Sequence, residues 1–271
     1  MNIYYENHTG QIIHLSEWPA MIQNPEDLIS YEWKYDTKNY KITGFKKEIT
    51  EKNIEVSIFA DSKDEFTDII NKIFEIAEID VLQEKPGKLY FNEQYLKCYI
   101  FKDGLSEFDP DMEATDITLS IVSDAPKWIN ERKFEFRSIK KVESWLDHEY
   151  NHNYDYMADR INRNINNESF AESEFQLIIY GPCINPVIYI NEHEYSIECS
   201  LEEGDYIIID SLEKTIMKTS NDGTIENIFD LRNRDSYIFQ KIPSGIIQVL
   251  SEMEFGFDLI ILEERSKPLW T

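Results

Sequence analysis

Short apolar runs separated by turn signals fill the last hundred residues of this 271-residue chain. Gly181-Pro182 and Asn185-Pro186 interrupt the chain, and Gly204-Asp205 precedes a run of three isoleucines. Asp222-Gly223 has the composition of a hairpin turn before a strand over residues 225–231. The runs between these signals have the length of strands and are alternating or continuously apolar. This spacing predicts an all-β domain over residues 173–271.

The first 140 residues combine strand-like runs with one helix. Ser62 and Glu65 have the spacing of a capping box. Apolar residues then recur at helical spacing, at Phe66, Ile69, Ile70, Ile73, Phe74 and Ala77. Because strand-like runs precede and follow this stripe, we expect the helix to pack on an antiparallel sheet. The pattern predicts an α+β first domain over residues 1–140.

Two polar segments interrupt these domains. Lys102–Ala114 contains glycine, proline and several acidic residues without periodicity, which predicts either a solvated loop or an extended arm that reaches a neighbouring subunit. Residues 141–172 are rich in Asn, Asp, Glu, His and Tyr and contain few consecutive aliphatic residues. We interpret this second segment as an interdomain strap.

Charge and composition exclude several classes of protein. The chain carries 52 acidic and 27 basic residues, so sequence-independent attraction to nucleic acid phosphates is not expected. No apolar run reaches the roughly 20 residues that cross a bilayer, and the N-terminus lacks the pattern of a signal peptide. Cys98, Cys183 and Cys199 are widely spaced, which favours reduced, buried thiols over a disulfide framework or a zinc site.

A literal H-E-x-x-H string, His148-Glu149-Tyr150-Asn151-His152, is the sequence's strongest catalytic motif. In zinc proteases this spacing places both imidazoles on one face of a helix. Here the surrounding residues are asparagine, aspartate and tyrosine without an apolar stripe, so the helical scaffold is not predicted. We therefore predict no metal site, no catalytic residue and no cofactor, and expect that the protein is not an enzyme.

Other catalytic patterns are weaker still. Ser16, Ser138 and Ser244 lack a nucleophile-elbow context, and no phosphate-binding glycine motif is present. Glu202-Glu203 and Glu263-Glu264 do not stand out as a glycosidase pair in a chain this acidic.

The ordered strings "YYENHTGQIIHL", "YGPCINPVIYI", "LEEGDYIIIDSLEKTI", "NIFDL", "DSYIFQKIPSG" and "EERSKPLWT" together resemble the distal tail (Dit) proteins of long-tailed bacteriophages. The resemblance covers both ends and most of the chain. It implies a mainly β fold: an N-terminal β-sandwich or split barrel with one helix, related to tail tube proteins, and a C-terminal galectin-like antiparallel β-sandwich. It also implies a ring through which DNA passes. We hypothesise that acidic residues on the wall of this ring would keep the DNA from sticking, and plain solubility charge is the alternative explanation of the acidic composition.

The function implied by this resemblance is structural. A homohexameric ring would form the distal tail hub, which joins the tail tube to the tip or baseplate. The expected partners are the tail tube protein, the tape measure protein, and tail-tip, baseplate or receptor-binding proteins. The expected location is the virion tail of a phage or prophage, assembled in the cytoplasm of the bacterial host.

The residues predicted to form interfaces are Arg265, Pro268, Leu269 and Trp270 of the C-terminal tail, together with Trp145 of the strap. An exposed tryptophan near a terminus is unfavourable, so we expect Trp270 to be covered by the domain junction, by a neighbour or by its own sandwich.

Two alternative functions remain open. A host cell-wall saccharide-binding protein would use exposed aromatic residues of the galectin-like domain, for which the candidates are Trp145, Tyr180, Tyr189, Tyr195, Tyr206 and Trp270. Most of these alternate with aliphatic residues, which is typical of core or interface positions. Zinc-dependent hydrolysis would use His148, Glu149 and His152.

Overall fold

The computed structural model describes residues 1–105, 114–138, 160–252 and 254–269. The chain divides into two compact units, Met1–Asn130 with Glu264–Thr271, and Glu131–Glu263. Each unit encloses its own cluster of buried apolar side chains. The predicted mainly β fold is confirmed, and every strand pair with a described register is antiparallel.

Both α-helices of the described residues lie in the first unit. Its elements are β1 (Ile3–Glu6), β2 (Ile12–His14), β3 (Ser16–Glu17), β4 (Ala20–Ile22), α1 (Glu26–Ile29), β5 (Lys34–Lys38), β6 (Lys41–Lys46), β7 (Thr50–Phe59), α2 (Lys63–Gln83), β8 (Gly87–Phe91), β9 (Gln94–Leu105), β10 (Ala114–Ser123) and the start of β11 (Trp128–Phe136).

Long antiparallel ladders form the sheets of this unit. β10 pairs with β7 on one side and with β9 on the other, and β9 also pairs with β8 and with the first residues of β11. β1 lies between β2 and β8. Buried residues alternate along β7, β8 and β10, as expected for strands with one face on a core.

The helix α2 begins and packs as the sequence predicts. Ser62 is its N-cap and its hydroxyl accepts a hydrogen bond from the Glu65 N–H at 3.3 Å, while the Glu65 carboxylate accepts from the Asp61 N–H at 2.9 Å. The predicted apolar stripe faces the core, where Ile73 and Ala77 are buried. The predicted helix on a sheet is therefore confirmed.

Asp80, near the C-terminal end of α2, is a fully buried acid. Its carboxylate accepts the Tyr5 hydroxyl at 2.5 Å and the His8 N–H at 3.0 Å, and it also lies 2.5 Å from the His8 Nδ1. Gly87 approaches Tyr5 and Asp80 so closely that a Cβ there would collide with both side chains. Burial, together with Cys98 and Asp80 nearby, raises the pKa of Tyr5 well above its usual range.

The described residues of the second unit form strands and one 3-10 turn. Its elements are the remainder of β11, β12 (Arg160–Asn167), β13 (Glu174–Tyr180), β14 (Cys183–Ile184), β15 (Val187–Ile190), β16 (His193–Ser196), β17 (Ser200–Leu201), β18 (Tyr206–Asp210), β19 (Thr215–Thr219), β20 (Ile225–Asn227), η1 (Phe229–Leu231), β21 (Gly245–Glu252) and most of β22 (Phe257–Arg265).

Two sheets of this unit contribute to a single core. One has the order β20-β19-β18-β13-β22, and the other has the order β12-β21-β15-β16. Leu177 and Ile207 from the first sheet and Ile188 and Val249 from the second are fully buried members of one cluster. This arrangement is a β-sandwich. Phe255, Phe257, Leu259 and Ile261 are all buried, as their alternation predicts.

Three local predictions need correction. The strand expected from Ile225 to Leu231 ends at Asn227, because the Asn227 side chain accepts the Phe229 N–H at 3.0 Å and turns the backbone into η1. The loop expected from Lys102 begins later, since β9 pairs with β10 up to Leu105. Residues 106–113 of that segment lie outside the described residues. The four-residue helix α1 was not predicted.

Replacing Asp80 by alanine should destabilise the first unit by about 2–4 kcal/mol, because the buried Tyr5 hydroxyl and the His8 N–H lose their acceptor. Urea unfolding at a fixed protein concentration measures the change. Asp68→Ala removes an exposed carboxylate from the same helix and should change the stability by less than about 0.5 kcal/mol. Equal effects of the two substitutions would contradict a structural role for Asp80.

Candidate interaction surfaces

The described residues contain no cluster of three or more His, Cys, Asp or Glu side chains that could hold a metal ion. His148, Glu149 and His152 of the H-E-x-x-H string lie outside the described residues. Ser16 is not placed as a nucleophile, because its hydroxyl accepts the Ile3 N–H at 3.0 Å. In the part of the chain that the structure describes, no helix has the length and apolar character of a membrane span.

The three cysteines occupy structural positions. Cys98 is buried in β9, and burial raises the pKa of its thiol to about 12. Cys183 and Cys199 are half-buried against the core of the second unit. Burial raises the pKa of Cys183 to about 11 and also raises the pKa of Cys199, which disfavours the nucleophilic thiolate form of both.

The two carboxylates of the Glu263-Glu264 pair have separate partners. Glu263 is buried and lies 3.2 Å from the Arg132 guanidinium within the second unit. Glu264 pairs with Lys127 at 2.5 Å within the first unit. Each carboxylate therefore has a structural ion pair.

A hairpin formed by β5 and β6 is the most exposed apolar feature of the first unit. These strands form a separate two-stranded sheet, and nearly every residue in them is exposed. Large apolar side chains nevertheless occur on it and at its base, namely Tyr31, Trp33, Tyr35, Tyr40, Ile42, Phe45 and Ile49. An isolated two-stranded ribbon is marginally stable in water, and an exposed apolar patch of this kind marks an interaction site.

The tip of this hairpin is a two-residue turn, Asn39-Tyr40, with positive φ at both residues (51° and 61°). Asn tolerates this conformation, whereas a tyrosine in the left-handed region costs about 1 kcal/mol. The Tyr40 side chain is also completely exposed, at 108% of its reference area. A two-residue hairpin turn of this kind requires positive φ at both positions, so the strain belongs to the turn, and the exposure of the Tyr40 ring is what makes it available for a contact.

We name residues 33–47 the lysine hairpin, because they contain five lysines and one aspartate in a chain with 52 acidic residues. Lys34 and Lys46 pair with Glu48 or Asp36 nearby in sequence. Lys38 and Lys41, at the exposed tip, form no ion pair among the described residues. The hairpin therefore combines exposed aromatic residues with unneutralised positive charge.

An apolar groove lies between α2 and the strands β9 and β10 of the same unit. We name it the helix groove; it has a volume of about 400 Å³, and its walls include Phe74, Val81, Phe101 and Leu119. Val81 and Phe101 are partly exposed. Helix α2 carries six acidic residues and two lysines, and of the acidic residues only Asp80 is buried. The groove therefore has largely apolar walls whose lining also includes Glu78, Lys102 and Asp103, and α2 carries further exposed acidic residues.

The C-terminal tail belongs to the first unit. Gln94 is buried and forms two reciprocal hydrogen bonds with the Leu269 backbone, at 2.9 and 3.2 Å. Pro268 is buried, Arg265 is half-buried and Leu269 remains partly exposed. Trp270 and Trp145 lie outside the described residues. The predicted interface role of these five residues stays a prediction.

The aromatic candidates for saccharide stacking are dispersed. Tyr195 is buried, with 1% of its area exposed, and its hydroxyl donates to the Gln240 carbonyl at 2.7 Å. Tyr180 and Tyr189 are each 39% exposed, and the Tyr180 hydroxyl donates to Asp258 at 2.8 Å. As its alternation with aliphatic residues suggested, Tyr195 is a core residue.

The lysine hairpin was missed as a functional surface, although the sequence contains a signal for it. In "WKYDTKNYKITGFKK", Trp33, Tyr35 and Thr37 alternate with polar residues, and the register places Phe45 opposite Tyr35 and Ile42 opposite Thr37, so the apolar residues share one face. Alternation of this kind is also typical of a strand that covers a core. The density of lysines in an acidic chain is the signal that could have indicated an exposed ribbon.

The chain has the fold of a phage tail protein with two mainly β units. In particular, it is similar to the Dit protein of phage SPP1, with 9% identity, a TM-score of 0.56, and coverage of 97% of this chain and 98% of that chain. It is also similar to a chain of the phage P2 baseplate in its activated conformation. For the baseplate structure with Ca, the sequence identity is 12% and the TM-score is 0.62. For the baseplate structure with Sr, the identity is 13% and the TM-score is 0.60. Both matches cover 98% of this chain and 99% of the other chain.

These structural matches confirm the predicted resemblance to distal tail proteins at the level of the fold. No protein-family model and no curated protein matches the sequence. At identities of 9–13%, the similarity lies in the three-dimensional arrangement of the elements.

Two lysines at the base of the lysine hairpin, Lys47 and Lys52, should lose their protons at an unusually low pH. The Lys52 ammonium donates to the carbonyls of Asp27, Leu28 and Ser30, yet burial and nearby Lys47 lower its pKa to about 8. Burial and Lys127 likewise lower the pKa of Lys47 to about 8. Between pH 8 and 10.5 the unfolded chain therefore binds protons that the folded chain has lost, so these lysines should make the free energy of unfolding rise with pH.

Carbon-13 NMR titration of the lysine side chains measures these pKa values directly. Lys34 is the internal control, because its hydrogen bond with Glu48 raises its pKa above the usual value. Titration of Lys47 and Lys52 together with the exposed lysines would contradict the burial of their ammonium groups.

Proposed function

We propose that this protein is a structural component of a phage tail, and specifically the distal hub that joins the tail tube to the tip or baseplate. The observation that carries the proposal is the similarity of fold over nearly the whole chain to SPP1 Dit, described as a paradigm of hub adsorption apparatus, and to a chain of the P2 baseplate. Both units are matched, so the similarity is not limited to one common β-sandwich. The proposed role requires no catalytic step.

The hub acts as a homohexameric ring, and the lysine hairpin supports this part of the proposal. Within its own chain the hairpin is a separate two-stranded sheet with exposed Trp33, Tyr35 and Phe45. Such a ribbon gains stability only when another surface covers it. A second copy of the same chain is always present at assembly, so it is the simplest occupant.

The helix groove of a neighbouring copy fits the hairpin in both shape and charge. It offers Phe74, Val81 and Phe101 to aromatic side chains, and α2 carries Glu75 and Glu78, both exposed. The hairpin tip carries Lys38 and Lys41. Opposite charges around an apolar contact fix its register and accelerate encounter more than they add affinity.

A contact between two different surfaces produces a closed ring when the rotation between copies divides the circle evenly. Hairpin-to-groove contact is heterologous, because each copy uses one surface for each neighbour. A hexamer built in this way leaves no hairpin and no groove uncovered. Ring formation therefore removes the exposed apolar area of every copy.

The other proposed partners follow from the same role. The ring contacts the tail tube protein and the tape measure protein on the tube side, and tip, baseplate or receptor-binding proteins on the other. The protein is then a virion component that assembles in the host cytoplasm. Saccharide binding through the galectin-like domain is the alternative, but the burial of Tyr195 removes one of its candidate residues.

Light scattering of the purified chain across a concentration series tests the ring. We expect a species with six times the chain mass of 32.2 kDa that dissociates on dilution. A strict monomer at all concentrations would refute ring formation by this protein alone. In that case, addition of a tail tube protein would distinguish partner-dependent assembly from absence of the hub role.

A charge-swap experiment tests the proposed contact. Lys38→Glu with Lys41→Glu on the hairpin, or Glu75→Lys with Glu78→Lys on α2, should each weaken the oligomer by about tenfold or more, because like charges then face each other. Combining all four substitutions should restore most of the affinity. The measurement is the dissociation constant from sedimentation or dilution light scattering.

Glu226→Lys is the matched control for this experiment. It reverses an exposed charge on β20 in the second unit, outside both surfaces, and should leave the oligomer unchanged. If the four substitutions weaken the oligomer additively and do not rescue one another, the hairpin and α2 do not face each other in the ring.

A further inference from the structure

A second surface of interest lies on the second unit, around η1 and the irregular segment that follows it. This surface is an open groove of about 620 Å³. We name it the cationic groove and define it by the residues used below: Lys214, Phe229, Arg232, Arg234, Tyr237 and Phe239. Its volume lies within the usual range for small-ligand sites.

Aromatic rings form one wall of the cationic groove. Phe229 stacks on Phe239 with ring centroids 6.0 Å apart, and Tyr237 meets Phe239 edge to face at the same distance. Phe239 is buried, whereas 57% of the Tyr237 side chain is exposed. The groove therefore presents an accessible aromatic ring that a ligand can stack on.

Cations are distributed along the same groove. The Arg232 guanidinium lies 3.8 Å from the Phe229 ring centroid, and its Nη1 donates to the Phe229 carbonyl at 2.8 Å. This contact uses one of the five guanidinium N–H groups and fixes the plane of the others. Arg234 also lines the groove and is exposed.

Lys214 supplies the third positive charge, although it shares an acidic neighbour. Its ammonium lies 5.4 Å from the Phe239 ring centroid and 3.6 Å from Glu174. Glu174 is closer to Lys241, at 2.8 Å. Burial would raise the pKa of Glu174, but the hydrogen bonds from Lys241 and Ser211 and the two lysine charges lower it overall. One carboxylate is thus shared between two lysines.

The irregular segment is held in place by hydrogen bonds to β16. The Ser236 hydroxyl donates to the Glu194 carbonyl at 2.6 Å, and the Asn233 side-chain amide donates to the Glu194 carboxylate at 2.9 Å. The His193 Nε2 lies 2.9 Å from the Tyr237 carbonyl. A groove whose backbone is already fixed loses little conformational entropy when a ligand binds.

We propose that the cationic groove is a binding site for an anionic saccharide, with the sugar ring stacked on Tyr237 and its carboxylate or phosphate held by Arg232 and Arg234. The guanidinium fork matches the planar oxygens of these anions, and the electron-rich face of an aromatic ring attracts the C–H groups of a sugar. Three cations against one lining aspartate, Asp235, are unusual in a chain with 52 acidic residues.

The local backbone favours a compact ligand over an extended peptide. Peptides that bind by strand addition need a free sheet edge, and helical peptides need an apolar groove. Arg234, Ser236 and Tyr237 belong to no strand, and cations line the groove between the aromatic residues. An acidic peptide clamped by arginines is the remaining alternative, and the experiment separates it from the saccharide. The site does not depend on ring formation.

Isothermal titration calorimetry on the full chain tests the proposal with three trisaccharides and one peptide. Maltotriose 6-phosphate supplies a phosphate, trigalacturonic acid supplies carboxylates, and maltotriose is the neutral control. We expect at least one anionic sugar to bind about tenfold more tightly than maltotriose, since the neutral sugar keeps only the stacking contact. The anionic sugar that binds more tightly shows whether the groove prefers a phosphate or a carboxylate. Hexaglutamate tests the acidic peptide.

Variants connect the binding to the groove. Arg234→Gln removes an exposed charge without a packing role and should weaken the anionic sugar by about tenfold, as should Arg232→Gln. Tyr237→Ala should weaken both the anionic and the neutral sugar, because it removes the stacking surface. Arg137→Gln is the control, since Arg137 is an exposed arginine of the same unit that does not line the groove.

The proposal is overturned if neither anionic trisaccharide binds more tightly than maltotriose. It is also overturned if hexaglutamate binds as tightly as the better sugar, or if Arg137→Gln weakens binding as much as Arg234→Gln. Circular dichroism melting of each variant establishes that the fold is retained, and Arg234→Gln keeps the test valid if Arg232→Gln unfolds the segment.

Discussion

The first unit depends on one buried carboxylate, Asp80. It stands at the end of the long helix and accepts hydrogen bonds from Tyr5 in β1 and from His8 in the turn that follows. A buried ionisable group is tolerated only when it is fully hydrogen-bonded, so the helix, the N-terminal hairpin and the close approach of Gly87 are mutually required. This polar contact fixes where α2 lies on the sheet, and thereby fixes the helix groove on its other side.

The same geometry explains why the first unit has two complementary surfaces. The stripe of α2 that includes Ile73 and Ala77 is used by the core, which leaves acidic residues such as Glu75 and Glu78 in solvent. The lysine hairpin has no core of its own, so its apolar face, on which Tyr35 and Phe45 are cross-strand partners, is exposed. Within one copy, both surfaces leave apolar area uncovered. The proposed assembly between copies would cover both without a change of fold.

Much of the fold could be predicted from periodicity. The cap at Ser62 and the helical stripe of apolar residues predicted α2, and alternation predicted the buried face of β22. In both elements the local sequence pattern agrees with what the core buries. The end of β20 depended on a single side chain, Asn227, whose competing hydrogen bond is not visible in hydropathy. The cationic groove could not be predicted, because it joins Lys214 to residues 229–239 through tertiary packing. Charge counts over the whole chain conceal such a local excess.

Net charge finally limits how a ring of this chain can be held together. Each copy carries a formal charge of −25, so copies repel one another at long range, and the repulsion falls within about 10 Å at physiological salt. A stable ring therefore needs apolar contact and local positive charge at the interface. Positive charge is concentrated in few places, and the lysine hairpin is one that also carries aromatic residues. In the proposed ring, the segregation of lysines onto an apolar ribbon would supply both the apolar contact and the positive charge at the interface.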